Sequence, residues 1–512
     1  MTIPGLEIDL HSEVPVYRQI VDGVRAAALA GTLPSAHRLP ATRDLARVLG
    51  VNRNTVVAAY ETLAEEGWVT SRTGKGTFLV ARPGMAPQPT PPDGAGEKGT
   101  WFNAFSLAAE GATQGGLQTI YSMVTEPAGG ISFVGSYPAG ELIPVEAFRR
   151  SLARTLDSHG PESLAYGPTA GHTPLRATIA ASMRERGMPA TAEDILITNG
   201  AQQALELVFR AFVDRGDAVA IEEPSYTGAF SILGALGARV IGIPADDEGL
   251  RPDLLAIALE RHRPRLLYMQ PTFQNPTTRV TSESRRRELL AITSRYRCPI
   301  VEDDWAGDLR FEGEDVPTLH ALDGGQHVIY LSTFSKKLMP GLRLGWLSAP
   351  LPVLTRLVEL KRLQDCGSSP LLQIALDDFL RDGGLERHLE RVRPAYRARR
   401  DAMLAALERH FPDDARWQRP LGGLFVWVHL PSAVDGDELF VSAKQRGVLY
   451  SRGELFHSDG AGKSALRLTY SAASEEQIRE GVAILGELMH ERWPSGRDGA
   501  RGRQAAETMP IF

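Results

Sequence analysis

Residues 327–346 read HVIYLSTFSKKLMPGLRLGW. The first six form a β-like run, and shortly after it stand Ser335, Lys336 and Lys337, with Arg343 seven residues beyond Lys336 on the far side of a Pro-Gly turn. Similar short runs precede it: AVAIEE at 218–223, RLLYMQ at 265–270 and PIVEDD at 299–304. Long helical stretches such as 201–213 and 282–296 lie among them. Strands alternating with helices predict a parallel sheet flanked by helices, an α/β body. In open sheets of this class ligands bind beyond the carboxyl ends of the strands. The polar residues that follow the runs are therefore candidates: Tyr226 after AVAIEEP, Asn275 after RLLYMQPTFQ, Asp303 at the end of PIVED, and Lys336 after HVIYLSTFS.

Taken singly, each of these fits ordinary loop chemistry, since NP and PSY are turn dipeptides and an aspartate can cap a helix. Together they supply what pyridoxal 5′-phosphate (PLP) requires. Its aldehyde needs a lysine, its pyridine nitrogen a carboxylate, its ring an aromatic face and its O3′ a hydrogen-bond donor. The phosphate needs backbone N–H groups at a helix start and a fixed positive charge. ITNGAQQALELVFRAF (197–212) places Asn199, Gly200, Ala201 and Gln202 at such a start, while Ser335 and Arg343 flank the lysine.

These residues resemble the fold-type I, aspartate-aminotransferase-like PLP proteins over about residues 101–490. The resemblance implies Lys336, rather than Lys337, as the Schiff-base lysine and Asp303 as the partner of the pyridinium nitrogen. It further implies Tyr226 as the stacking ring, Asn275 as the O3′ donor, and Gly200, Ala201, Gln202, Ser335 and Arg343 as the phosphate cradle. SLAYGPTAGHTPLR (163–176) is similar to the family segment in which a tyrosine, here Tyr166, reaches the phosphate of a neighbouring subunit. Arg467 in ALRLTYS (465–471) stands where the family holds a substrate carboxylate, for which a planar guanidinium fork is suited. Where the family often has a tyrosine shortly after the aspartate, EDDWAGD offers Trp305 as a residue of the cofactor site. An indole N–H donates a hydrogen bond but does not relay a proton.

Ahead of the body, residues 81–100, ARPGMAPQPTPPDGAGEKGT, hold nine Pro or Gly in twenty positions. This is a linker biased to extended polyproline II, at about 3.1 Å per residue. It predicts a head at 1–80, the linker at 81–100, a large domain at 101–370, a small C-terminal subdomain at 371–492 and a tail at 493–512.

The head carries three amphipathic patterns. Residues 15–30 bury Tyr17, Ile20, Val21, Val24 and Ala28; a second helix runs from Thr42 as N-cap to Gly50; Asn52 caps a third bearing Val56, Ala59, Tyr60 and Leu63. Helix, short glycine-containing turn and helix are helix-turn-helix spacing. The strands WVTSR and TFLV, joined through TGKG, form a wing. Arg38, Arg43, Arg47 and Arg53 stand against only Asp44 across 38–53, where a recognition helix meets phosphates and base edges.

The head resembles the GntR family of bacterial winged-helix repressors along PVYRQIVDGVRAAALAGTLPSAHRLPATRDLARVLGVNRNTVVAAYETLAEEGWVTSRTGKGTFL (15–79). By that resemblance Arg43, Arg53, Asn54 and Thr55 contact DNA from the helices, and Lys75 and Gly76 from the wing. The order of head, linker and body resembles the MocR-type subfamily of bacterial regulators. What it implies is a winged helix-turn-helix joined by a Pro-rich linker to a fold-type I aminotransferase-like domain. The expected function is regulation of double-stranded operator DNA by a homodimer that senses an amino acid or amine through external aldimine formation at Lys336. An active aminotransferase with a DNA-binding head, and a direct PLP sensor governing vitamin B6 synthesis, are the alternatives.

Composition agrees with these expectations without selecting among them. At 512 residues the chain exceeds what one core organises, and 43% hydrophobic with 23% charged residues is ordinary for a globular protein. Apolar runs break within about ten residues, short of a membrane span, and the acidic N-terminus is unlike a signal peptide, so a cytoplasmic location without a membrane partner is expected. Two cysteines, Cys298 and Cys366, form no disulfide or metal framework. The net charge of −6 argues against nucleic acid only as an average. Residues 1–82 hold nine Lys and Arg against eight Asp and Glu, so placement, not excess, carries the DNA-binding reading.

Overall fold

The computed structural model describes residues 14–29, 33, 37–65, 68–72, 76–79 and 130–493, with isolated positions elsewhere before residue 130. The linker at 81–100, Lys75, and the tail apart from Trp493 lie outside the described residues. The chain divides into two compact units, Met1–Leu107 and Ala108–Phe512. Among the described residues no helix is long and apolar enough to cross a membrane.

The first unit contains α1 (Val16–Leu29), α2 (Thr42–Leu49), α3 (Arg53–Glu65), β1 (Val69–Arg72) and β2 (Gly76–Leu79). Its core joins Ile20, Val21 and Val24 of α1 to Leu45 of α2, to Val56, Ala59, Tyr60 and Leu63 of α3, and to Trp68, Val69 and Leu79 of the wing. Gly50 ends α2 in the left-handed region, at φ 69°, returning its N–H to the Ala46 carbonyl. Asn52 caps α3, its side-chain oxygen accepting from the Asn54 N–H at 2.9 Å. Thr42, expected as the cap of α2, is instead its first helical residue. Ala41 already occupies the cap position and has no side-chain acceptor to offer. The Tyr60 hydroxyl donates to the Pro40 carbonyl at 2.9 Å, fastening α3 to the segment entering α2. β2 pairs with β1 and also with residues 37–39, through Leu39 N–H to Thr77 and Leu79 N–H to His37, both at 2.9 Å. The wing is thereby tied to the helical core.

The strands of the second unit are β3 (Ile131–Phe133), β4 (Ile195–Thr198), β5 (Ala218–Glu223), β6 (Arg239–Asp246), β7 (Gly249–Leu250), β8 (Leu267–Met269), β9 (Ile300–Asp303), β10 (Val328–Thr333), β11 (Gly345–Ser348), β12 (Arg416–Trp417), β13 (Phe425–His429), β14 (Val448–Arg452) and β15 (Ala465–Thr469). Eight of them form one sheet in the order β4-β11-β10-β9-β8-β5-β6-β7. Alternate residues feed two apolar layers. Val219, Ile221, Tyr268 and Val301 pack under the helices Ala201–Phe212, Thr227–Leu236 and Leu351–Asp365, while Ala220, Leu267, Met269 and Ile300 face the helices Pro252–His262 and Glu283–Arg295. Burial on both faces explains the nearly continuous apolar runs in the sequence. The sheet is not wholly parallel as expected. β11 runs antiparallel to both neighbours because the turn after β10 sends the chain straight back beside it. The parallel set β10, β9, β8 and β5 still aligns its carboxyl ends.

A second sheet has the order β12-β13-β15-β14-β3. It differs from the contiguous subdomain expected at 371–492. β3 joins it parallel to β14, and Ile131, Phe133, Ala139 and Leu142 share a core with Val392, Tyr396, Phe425 and Leu466. Conversely, Leu376 and Phe379 of the helix Pro370–Arg381 pack with Leu175, Ile179 and Ile197 of the large lobe. The lobes are therefore built from interleaved stretches of chain, which a change of pattern along the sequence does not mark.

Candidate functional site

In the first unit, Arg43 near the start of α2 and Arg53 and Asn54 at the start of α3 are exposed, and Thr55 is half-buried. Among the described residues Arg43 and Arg53 form no ion pair, whereas Arg47 lies 3.9 Å from Asp44. Gly76 opens β2, directly after the tip of the wing. A helix N-terminus carrying exposed, uncommitted guanidinium groups suits a polyanion, because both the helix dipole and the side chains favour negative charge there.

In the second unit the strand ends bring the expected residues together. Asp303 closes β9 and is buried. One carboxylate oxygen, Oδ2, accepts from the Tyr268 hydroxyl at 2.7 Å and from Gln270 Nε2 at 2.8 Å; the other, Oδ1, is buried without a partner among the described residues. Burial raises its pKa to about 6 against those two hydrogen bonds. Lys336 follows β10 and makes no hydrogen bond or ion pair among the described residues. Its pKa is lowered to about 8, by burial first and then by the positive charges of Arg467 and Arg343. Its neighbour Lys337 is the opposite case. Only 4% exposed, it is ion-paired with Asp308 and lies over the Trp346 ring, 4.8 Å from its centre. Of two adjacent lysines, only Lys336 has an uncommitted amine.

The loop between β4 and the helix Ala201–Phe212 is built for close approach. Gly200 has φ 87°, and a Cβ there would come within 2.9 Å of Arg343 Nη2. Arg343 donates to the Asn199 carbonyl at 3.1 Å and reaches Ser335 Oγ at 3.5 Å. Ala201 and Gln202 supply the first turn of the helix, and Gln202 Oε1 accepts from the Tyr226 hydroxyl at 2.9 Å. Behind them Asn199 and Gln203 both donate to Asp365, which is held by fully buried Lys361 at 2.6 Å. Such an i, i+4 pair reads in sequence as a solvated surface pair.

Arg467, on β15, is 4% exposed and lies between the rings of Phe425 and Phe456, with centroids at 4.8 and 4.9 Å. It donates to Asn275 Oδ1 at 2.9 Å, the Val134 carbonyl at 2.9 Å and Ser451 Oγ at 3.2 Å, while its Nε is buried with no partner among the described residues. Burial lowers its pKa to about 9. Because Asn275 accepts through its oxygen, its amide NH2 remains available. Tyr166 is 96% exposed within the single chain, away from every packed layer.

Trp305 has its donor engaged within the protein. Its indole N–H donates to the Phe273 carbonyl at 3.0 Å and its ring stacks on Phe425 at 5.3 Å. Its one donor is thus taken, and its ring packs behind the phenylalanine that covers Arg467. Tyr268 and Gln270, which orient Asp303, were not among the expected residues. Both look apolar or terminal in RLLYMQ, and only the pairing of β8 with β9 brings them to the aspartate.

Residues 134–485 match the family described as aminotransferase class I and II, and residues 16–79 match the bacterial regulatory proteins of the gntR family. The chain is 38% identical to aromatic-amino-acid aminotransferase 1 of Thermococcus litoralis, over 76% of this chain and 94% of that protein. It is 34% identical to the probable rhizopine catabolism regulatory protein MocR of Rhizobium meliloti, over 94% and 95% of the two chains. Among solved structures, LysN, the alpha-aminoadipate aminotransferase of Thermus thermophilus, complexed with N-(5′-phosphopyridoxyl)-L-leucine, superposes with a TM-score of 0.71 at 38% identity, covering 76% of this chain and 98% of that one. The chain thus belongs to the class I and II aminotransferase family and joins that fold to a gntR-type winged helix in the two-part arrangement of the MocR-type regulators.

Proposed function

We propose that this protein is a PLP-binding transcription regulator that senses an amino acid or amine at Lys336 and acts on double-stranded operator DNA as a homodimer in the cytoplasm. The observation that carries the cofactor reading is that the strand ends hold both an uncommitted amine, Lys336, and a buried carboxylate oxygen, Asp303 Oδ1, each without a partner among the described residues. When bound, PLP supplies an aldehyde that condenses with primary amines and exchanges one for another.

The chain's own residues fit that group. Asp303, oriented by Tyr268 and Gln270, holds a pyridinium proton through Oδ1. The Asn275 amide donates to O3′, and Tyr226, fixed by Gln202, offers its ring. Gly200 admits a phosphate close to the backbone, where the N–H groups of Ala201 and Gln202, Ser335 and Arg343 receive it. Lys336, with its pKa near 8, keeps a neutral fraction able to attack a carbonyl. Arg467, its fork pre-aimed by Asn275 and Val134, receives an effector carboxylate in surroundings poor in water. The exposure of Tyr166 supports its reaching a neighbouring subunit. Arg43, Arg53, Asn54 and Thr55, with Lys75 and Gly76 of the wing, contact the operator, and a dimeric body presents two heads to paired half-sites.

Titrating amines against the absorbance of the PLP-loaded protein while following operator binding tests the reading. An effector should change both; operator affinity indifferent to every amine that alters the spectrum sinks the sensing role. A change in DNA affinity on PLP addition alone makes the cofactor itself the signal. Identity of 38% to an aminotransferase across the body favours a second reading, catalysis, and sustained multiple turnover with a 2-oxo acid would establish it.

A further inference from the structure

A separate cavity of about 380 Å3, to which none of the candidate cofactor residues contributes a wall, is bounded by Arg186, Asp308, Arg310, Glu312, Asp315 and Arg393. Its three arginines and three acids balance on paper, but the acids are committed elsewhere. Asp308 is ion-paired with Lys337. Glu312 is shared by Arg397, Arg400 and Arg419 at 3.1, 2.8 and 3.1 Å, which holds its carboxyl down at about 2. Asp315 has a side chain 88% exposed and meets Arg310 through Nε alone, at 2.7 Å.

The arginines are less committed. Arg393 gives only its Nε, at 2.9 Å, to the main-chain oxygen of Asp308, and has no carboxylate within ion-pair distance among the described residues. The terminal nitrogens of Arg393 and Arg310 make no hydrogen bond there. Arg186 donates to Asp304 at 2.7 Å and lies 4.0 Å from Asp308. The ion pairs reaching the cavity join six cationic side chains to five carboxylates (Asp304, Asp308, Glu312, Asp315 and Asp401), and Arg393, which stands outside them, raises the surplus to two positive charges. Partly buried guanidinium forks with free donors match carboxylate and phosphate oxygens in shape as well as in charge.

We propose that this cavity is a second ligand site, taking a compact dianion such as a small dicarboxylate or a phosphate group, with Arg393 and Arg310 as its principal donors. The site stands apart from the cofactor reading, since it shares no wall with the residues assigned to PLP. Calorimetric titration of the PLP-loaded, full-length protein with succinate, and separately with inorganic phosphate, tests it. One dianion per chain should bind outside the Arg467 site, so the Arg467→Leu variant retains this binding. Arg393→Met should weaken it by about tenfold or more, with Arg393→Lys recovering part of the loss. Tighter binding of succinate identifies a carboxylate ligand, and tighter binding of phosphate a phosphorylated one. Should Arg393→Met fail to fold, Arg310→Met is expected to give the same loss. Affinities in the arginine variants within about twofold of the parent, or binding that only Arg467→Leu abolishes, would overturn the proposal.

Discussion

Arg53 and Arg467 are the same side chain used under opposite conditions. In the winged helix, Arg53 and Arg43 stand exposed at helix starts, with no ion pair among the described residues. In the body, Arg467 is buried between two phenylalanine rings with a hydrogen bond to Asn275 already in place. A DNA phosphate array is long, heavily charged and surrounded by counterions, so exposed arginines suffice and their effect falls with salt. A single carboxylate carries one charge, and water competes for it. Excluding water and fixing the fork beforehand are what make one arginine discriminating. Burial, rather than arginine content, would then separate the two recognition tasks proposed for one chain.

The largest effect should come from removing the body's reactive group. Lys336→Ala is expected to abolish the absorbance band of lysine-bound cofactor while circular dichroism and operator binding by the head persist; a surviving band would move the role to another lysine. Next, Arg467→Leu should weaken amino acids bearing a carboxylate by on the order of a hundredfold, from charge-assisted hydrogen bonds of about 1.5–3 kcal/mol each. Simple amines should be unaffected, and equal losses for both would break the assignment. In the head, Arg53→Ala should weaken operator binding by about 1–3 kcal/mol and reduce the salt dependence by about one phosphate contact, with an unchanged cofactor spectrum. If the loss is independent of salt, the contrast with Arg467 collapses.

Two smaller effects sharpen the picture of the buried site. Capture of cofactor by Lys336 requires the neutral amine, so its rate should rise about tenfold per pH unit up to a midpoint near 8 and then level. Removing the positive charge of Arg467 should move that midpoint upward. Trp305→Phe, measured by thermal unfolding, should cost about 1 kcal/mol through the lost bond to the Phe273 carbonyl. The same variant should leave the cofactor spectrum unchanged if the indole does no more than pack.

The places of Lys336, Asp303, Asn275 and Tyr226 were legible in the sequence because each closes or follows a strand, and polar residues at strand ends are conspicuous after apolar runs. Head boundaries were legible for a similar reason, since Gly50 and Asn52 punctuate α2 and α3. Tyr268 was not, because a tyrosine inside an apolar run looks like core until the register with β9 brings its hydroxyl to a carboxylate. Nor was the partner of the Trp305 N–H legible, because spacing from an aspartate says nothing about whether a neighbouring carbonyl takes it. Nor did any local pattern assign Ile131–Phe133 to the small sheet, whose partner strand lies more than three hundred residues further along the chain.

That strand has a mechanical consequence. Coming from the winged helix, the chain reaches its first described strand at β3, which pairs with β14 in the same sheet as β15 and Arg467. The lobe that carries Arg467 therefore begins, along the chain, ahead of the larger lobe. Because β3 and β12–β15 come from opposite ends of the second unit's sequence, any displacement of that sheet moves both ends together.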